Sequence, residues 1–345
     1  GLCIGVGDEQ LALTLNGGRP SGGHPASEVG VVTLDGPAAV WEQLLSAVPP
    51  RFFNDISPAW AQGLERGGDR VLNAQYFAAV MRAVELLRAP GLQADPARDE
   101  AAPTGTIDAP VGRYVHVELD GHDHRIYFEE AGQGIPLLLQ HTAGCHGTQW
   151  RHLFEYPEIT DHFRLIAYDL PFHGKSVPPV SREWWSENYQ LRGGFLRSLV
   201  VGLASALALE HPVFMGCSVG GLLALDLAAK HPDVFRAVIS LEGALRIGGD
   251  MADYSELWHP QVSNEYKARL MDGIMSPTSP APYRKETSFV YACGWPPVFL
   301  GDLYYYVEDF DLRATAKDID TSEVGVHILS GEYDYSGTSE LGRAA

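Results

Sequence analysis

The stretch that most constrains this chain is Val213-Phe214-Met215-Gly216-Cys217-Ser218-Val219-Gly220-Gly221. The apolar run from Pro212 to Met215 predicts a buried strand, and Gly220 to Lys230 predicts a helix that stops near His231-Pro232. Between them, Gly216-x-Ser218-x-Gly220 reads as a sharp strand-to-helix turn with the serine at its tip. Side chains at the flanking positions would clash with the neighbouring strand and helix, and the turn itself is strained, so glycine is needed on both sides. The start of the helix then lies under the serine, offering free N–H groups and the positive end of its dipole. Glycine and serine are common, so the pattern alone is weak. Its weight comes from the strand before it and the helix after it.

A chain of 345 residues has room for two domains, or for one large domain with an insertion. No apolar run is long enough to span a membrane. The opening Gly1-Leu2-Cys3-Ile4 lacks a basic segment and a long apolar core, so no signal peptide is visible. The chain also begins without Met, which leaves room for a leader upstream. A net charge of −19 argues against a nucleic-acid partner. Cys3, Cys145, Cys217 and Cys293 lie far apart, with no CxxC pair, which fits a reducing cytoplasm. Cys145 and Cys217 read as small buried fillers. His122-Asp123-His124 has no third ligand nearby and reads as a surface turn, so no metal is expected. Phosphate loops and dinucleotide fingerprints are absent, so no cofactor is expected.

Residues 1–88 read as a small α+β unit. Leu11–Leu15 alternates like a strand that ends at Asn16-Gly17-Gly18, and Val31–Leu34 is a second strand. Pro37–Leu45 starts a helix with proline in its first turn, and Ala74–Leu87 carries Phe77, Val80, Met81, Val84 and Leu87 at helical spacing. Residues 89–110, rich in Ala, Pro, Asp and Glu, read as a linker. From Val111 onward strands and helices alternate. A hairpin is predicted across Asp120-Gly121-His122, then strands at Ile135–Leu139 and Phe163–Tyr168, a long helix from about Glu187 to Leu209, the Ser218 turn, and strands at Val234–Leu241 and Val324–Leu329. This order implies an α/β fold with a doubly wound, mostly parallel sheet that binds ligands at the carboxyl ends of its strands.

Three motifs, in order, carry a resemblance over about residues 111–345. His141-Thr142-Ala143-Gly144 follows an apolar strand, Asp169-x-x-x-His173-Gly174-x-Ser176 forms the second, and Gly216-x-Ser218-x-Gly220-Gly221 the third. With them the chain resembles the α/β-hydrolase superfamily. Phe172 stands where the family's turn has its first Gly, and Thr142 where its oxyanion loop has Gly. The resemblance implies Ser218 as nucleophile and Asp334, after the strand Val326–Leu329, as the acid of a triad, with Glu242 in reserve. It implies an oxyanion hole from the N–H of Val219 and that of Thr142 or Ala143. His141 is expected to anchor its loop and to lie near the substrate, as is Cys217.

The resemblance also implies a catalytic histidine after the acid, and none follows Asp334. The chain is therefore expected to be a fragment that hydrolyses esters poorly until extended through that histidine. His327, within its strand, is expected to face the core or its cover. Residues 245–320, rich in aromatics, read as a helical cap, with Trp258, His259 and Tyr305 as candidate pocket residues. The expected substrate is a small to medium apolar carboxylic ester or lactone, with C–C bond or thioester cleavage as alternatives. The first unit faintly resembles a sterol-carrier-type module. That suggests a different reading, a lipid or small-molecule binding protein on an inert scaffold. As an accessory unit it would instead join two copies of the chain in a homo-oligomer.

Overall fold

The computed structural model describes residues 1–16, 19–22, 31–91, 94–97 and 102–345. The chain opens with strands β1 (Leu2–Val6), β2 (Glu9–Asn16), β3 (Arg19–Gly22) and β4 (Val32–Gly36). Helices α1 (Ala38–Leu44) and α2 (Ile56–Trp60), strand β5 (Glu65–Gly68), and helices α3 (Arg70–Gln75) and α4 (Phe77–Leu87) follow. Next come β6 (Val111–Leu119), β7 (His122–Ala131), β8 (Ile135–Gln140), α5 (Pro157–Thr160), β9 (Phe163–Tyr168), α6 (Gly193–Ala206), β10 (Val213–Cys217), α7 (Val219–Lys230) and β11 (Ala237–Leu241). The remainder contributes α8 (Glu265–Ile274), α9 (Ala281–Ala292), α10 (Val298–Leu303), β12 (Gly325–Leu329) and α11 (Ser339–Ala344). Two compact units result. One is Gly1–Asp99 with Glu256–Ala292 and Tyr333–Tyr335, and the other is Glu100–Ser255 with Cys293–Glu332 and Ser336–Ala345.

The first unit has a sheet in the order β3-β2-β1-β4-β5. The sequence pattern misses β3, β5 and the middle strand, β1, where Gly5 interrupts the alternation. Strand β1 pairs antiparallel with β2 and parallel with β4. Trp41 on α1 donates its indole N–H to Gly5 O at 2.8 Å, which fixes that helix to the sheet. The Gly17-Gly18 turn lies outside the described residues. The single helix expected over Ala74–Leu87 is instead two, α3 and α4, parted at Tyr76 where φ is −108°. Phe77, Val80, Met81 and Val84 are buried at the expected spacing, whereas Leu87 is exposed. The aromatic-rich insertion divides between the units: α8 and α9 belong here, and α10 belongs to the second. Glu256, 3% exposed at its side chain, receives Arg66 at 3.0 Å and Arg70 at 2.6 Å.

The second unit is built on a sheet in the order β12-β11-β10-β8-β9-β7-β6, parallel from β12 to β9 and antiparallel beyond. Leu138, Ile166, Phe214 and Val238 are wholly buried on one face. On the other face Leu137, Leu139, Leu165, Ala167 and Val213 pack against Trp150 and Phe154. Burial on both faces explains why these strands read as continuous apolar runs. The β6–β7 hairpin turns through Asp120 at φ 51° and Gly121 at φ 75°, as its sequence predicts. Helix α6 starts at Gly193 rather than near Glu187, because Arg192 is extended and Asp309 Oδ2 accepts the Gly193 N–H at 2.7 Å. His327 is exposed on β12 rather than turned to the core or a cover. His124 also departs from the surface reading. It is 1% exposed, lies 5.5 Å from the Phe195 ring, and burial lowers its pKa.

Asp55 caps α2 and accepts the Ile56 N–H. Burial raises its pKa from 3.8 to about 7, against the pull of Arg88 and with a push from Glu85 and Asp272. A folded-state pKa above the unfolded one means stability that is full below about pH 4 and is lost as pH rises through about 7. Asp55→Asn keeps the cap but abolishes this slope. Its stability advantage over the parent, from urea unfolding, is expected to widen by roughly 2–4 kcal/mol between about pH 4.5 and pH 7.5. A gap that stays constant with pH would contradict a neutral buried carboxyl.

Candidate active site

Parallel strands β8, β9, β10, β11 and β12 all deliver their carboxyl ends to one rim of the sheet. Ser218 stands there, just past β10, at φ 56° and ψ −109°, in a half-buried position. The strain of such a backbone, about 1–3 kcal/mol, persists only where the surroundings hold it. Ser218 N–H donates to Leu241 O at 2.9 Å, and Leu222 N–H closes the first helical bond onto Ser218 O at 2.9 Å. A Cβ on Gly216 would lie 2.3 Å from Gly220 O, one on Gly220 would lie 2.6 Å from Gln140 Cγ, and one on Gly221 would lie 2.3 Å from Leu241 O. Ser240, on β11, donates its hydroxyl to Gly221 O at 2.7 Å and pins the start of α7 to the sheet.

The loop after β8 supplies backbone N–H groups beside this rim. His141 is fully buried. Its Nδ1–H donates to Thr142 O at 2.8 Å, and its Nε2 accepts the Leu170 N–H at 3.1 Å. Burial first, and then the nearby His173, hold its pKa well below the ordinary value. His141 is thus a neutral anchor with both nitrogens engaged. Thr142 N–H donates to Gln149 Oε1 at 2.9 Å, Gly144 N–H to Asp302 Oδ2 at 2.7 Å, and Cys145 N–H to Thr142 O at 3.3 Å. Ala143 N–H and Val219 N–H have no hydrogen-bond partner among the described residues. Among the described residues, nothing hydrogen-bonds the Ser218 hydroxyl.

Asp302, on α10, is the residue that sequence reasoning missed. It is wholly buried and gathers three donors: Gly144 N–H, Tyr189 O–H at 2.8 Å and His173 Nε2 at 2.9 Å. His173 Nδ1–H donates to Pro171 O at 3.0 Å, so both ring nitrogens are donors and the ring is an imidazolium. Burial opposes that charge, but the Asp302 carboxylate and its hydrogen bond outweigh burial and raise the His173 pKa. The turn that carries His173 is held by Asp169, which accepts Gly147 N–H and Lys175 N–H, each at 2.7 Å. Phe172 occupies its left-handed position at φ 75°. Its ring stacks on Trp295 at 5.5 Å and lies 5.0 Å from Tyr189, packing that offsets the strain.

The other expected site residues divide between the two units. Tyr305 is 1% exposed, and its hydroxyl donates to Asp226 at 3.2 Å, so it is a packing residue of the second unit and not a pocket wall. Trp258 and His259 belong to the first unit. Cys217 is half-buried with its thiol 3.6 Å from Glu242 Oε2. Cys145 is buried and its pKa is pushed up to about 12, an inert thiol. Asp334 is half-buried and follows β12 in the short segment Tyr333–Tyr335, which clusters with the first unit. Glu242 follows β11 at φ 60°, another non-glycine residue in the left-handed region.

Two substitutions test this construction. Asp302→Ala leaves a buried imidazolium unpaired and is expected to cost about 3–5 kcal/mol near pH 6. A raised His173 pKa gives stability that is full below about 6.5 and fades as pH rises through the folded value, so the loss should shrink by about pH 9. Equal losses at both pH values would show that the pair is uncharged. Gly216→Ala forces a Cβ against a backbone oxygen and is expected to lower stability by about 3 kcal/mol or more in the same assay.

A family model described as "alpha/beta hydrolase fold" matches residues 135–290. The 2-hydroxymuconate semialdehyde hydrolase of Pseudomonas sp. (strain CF600) is 30% identical over 125 residues, 35% of this chain and 40% of that protein. The pimeloyl-[acyl-carrier protein] methyl ester esterase of Vibrio vulnificus (strain CMCP6) is 26% identical over 150 residues, 43% of this chain and 51% of that protein. Across the curated relatives it matches, the chain spans between 39% and 56% of their length. Among solved structures, a hydrolase from Pseudomonas aeruginosa PA01 superposes with a TM-score of 0.57 at 20% identity, over 67% of this chain and 84% of that one. The second unit thus has the α/β-hydrolase fold, and the family model of that fold matches the chain from the strand at residue 135 through the Ser218 turn.

Proposed function

We propose that the second unit carries a serine hydrolase site that cleaves a small to medium apolar carboxylic ester or lactone. The carrying observation is the pairing of a strained, half-buried Ser218 at the strand rim with two uncommitted backbone donors, Val219 N–H and Ala143 N–H. Ser218 Oγ attacks the carbonyl carbon, the two N–H groups receive the oxyanion, and the C–O bond to the leaving alcohol breaks to give an acyl-enzyme. Water then attacks that ester and frees the acid and Ser218. Ala143 is preferred to Thr142 because Gln149 already accepts the Thr142 N–H. A general base takes the serine proton. In the family this is a histidine steered by the acid, here Asp334, with Glu242 the second candidate.

The half-buried rings of Phe172, Tyr189 and Trp295 lie near the oxyanion loop and favour an apolar acyl or alcohol group. Relatives named for a methyl ester and for a semialdehyde keep both ester and C–C bond cleavage in play. The four cysteines form no disulfide with one another, which fits a reducing compartment such as the cytoplasm. The binding-protein reading has its own support in the first unit. There an apolar cavity of about 500 Å³ is lined by residues including Leu2, Leu13, Val32, Val80 and Leu86, suited to a lipid-like ligand.

Hydrolysis of a nitrophenyl butyrate, with and without added imidazole as a surrogate base, tests the enzyme reading. Turnover should rise with imidazole and fall about 10³-fold in Ser218→Ala. A fluorophosphonate should label Ser218. Activity indifferent to Ser218→Ala, or no labelling while a fatty acid still binds, would favour the inert binder. Asp334→Asn and Glu242→Gln, compared in the same assay, identify the acid: only one should depress the rate by about 10² or more.

A further inference from the structure

The first unit also holds a polar cavity of about 390 Å³ that no step above uses. Its walls come from the residues capping α2, the last turns of α4, the end of α8 and the start of α9. Asp and Arg are seldom buried unless paired. Here they are gathered with their bonding left incomplete in a matched way.

The open acceptors are two. Asn54, 3% exposed, donates its amide hydrogens to Gly273 O at 2.8 Å and Met275 O at 3.2 Å, and its Oδ1 has no partner. Asp272, 5% exposed, engages Lys285 through Oδ2, while Oδ1 accepts no hydrogen bond and has Arg284 Nη1 only at 3.8 Å. Each such buried acceptor is destabilising if nothing fills it. The open donors are guanidinium edges. Arg88 spends Nε on Leu44 O and Nη2 on Asn54 O, leaving Nη1. Arg284 spends Nε on Ser279 O, leaving both terminal nitrogens.

Uncommitted carboxylate and amide oxygens beside uncommitted guanidinium edges are the complement of a molecule that carries an ammonium and a carboxylate at once. The volume is that of a small-molecule site, and Met81 and Met275 line it with adaptable apolar surface. We propose that this cavity binds a free α-amino acid, its carboxylate on Arg88 and Arg284 and its ammonium on Asn54 Oδ1 and Asp272 Oδ1. The site is separate from the hydrolase reading, so Ser218→Ala is expected to bind the same ligand unchanged.

Asp55 in the same wall gives an independent readout. Burial holds its carboxyl near pH 7, with Arg88 and Glu85 of α4 and Asp272 of α8 acting on it, and Arg284 of α9 close by. A bound ammonium stabilises the ionised form, so binding releases a proton and affinity rises with pH between about 6 and 8.

Calorimetric titration of the whole chain with each free proteinogenic L-amino acid is the test, run beside the amine-free acid and the methyl ester of each. At least one amino acid should bind with a Kd of about 1 mM or tighter, and both of its analogues should bind about tenfold more weakly or worse. Arg284→Gln, a partly exposed position, should weaken binding about tenfold with the thermal midpoint unchanged, and Asp55→Asn should remove the pH dependence. A cavity that binds no amino acid holds only water, and that result overturns the proposal. So does an amine-free acid that binds as tightly as its parent, or Arg284→Gln with undiminished affinity.

Discussion

Everything at the strand rim depends on how closely two pieces of backbone approach at the Ser218 turn. Gly216 and Gly220 leave no room for even a methyl group, since an added Cβ on Gly216 would sit 2.3 Å from the Gly220 carbonyl. That closeness lets a strand become a helix within one residue, and the residue between them must accept φ 56°. The strain is held by bonds around it: Ser218 N–H to Leu241 O, Leu222 N–H to Ser218 O, and Ser240 Oγ to Gly221 O. With those groups engaged, the serine hydroxyl and the Val219 N–H are left without a hydrogen-bond partner among the described residues. Which groups stay open follows from what the scaffold has already consumed.

The same logic of saturation governs the loop after β8. Gln149, Asp302 and Thr142 O take the N–H groups of residues 142, 144 and 145, and one donor remains, at Ala143. Asp302 couples this loop to His173 and Tyr189 in a single buried network, so the position of an uncharged amide rests on a charged pair some distance away in sequence. A buried ion pair of this kind adds little net stability, because desolvation offsets attraction. Removing one partner is costly, and so the pair holds its backbone contacts in one arrangement. Phe172 shows the trade in another form: a left-handed bulky residue is tolerated because its ring completes an aromatic stack with Tyr189 and Trp295.

Legibility in the sequence tracked the range of the interactions involved. The Ser218 turn, the β6–β7 hairpin and the buried strands of the main sheet could be read because each is set by neighbours a few residues apart. The central strand of the first sheet could not, since Gly5 breaks the alternation and its pairing partner β4 lies about thirty residues on. The start of α6 was misplaced because the cap that sets it, Asp309, is 116 residues away. Aromatic content drew attention to Tyr305, yet aromaticity does not reveal whether a phenol faces a cavity or, as here, a buried Asp226. Asp302 had no local signal at all: an aspartate in an apolar helix becomes meaningful only once Gly144, His173 and Tyr189 surround it.

By itself the sequence determined the alternation of strands and helices, the parallel sheet they must form, and the serine placed where a strand is forced to turn. Those outcomes need only periodicity and glycine sterics, which act over a turn or two of chain. Tertiary structure decided which amide hydrogens are spent and which are open, which carboxylates are paired, and that α8 and α9 join the first unit instead of the second. Such choices depend on burial and on partners brought together from distant parts of the chain, and desolvation makes a polar group's fate a property of its surroundings, not of its identity.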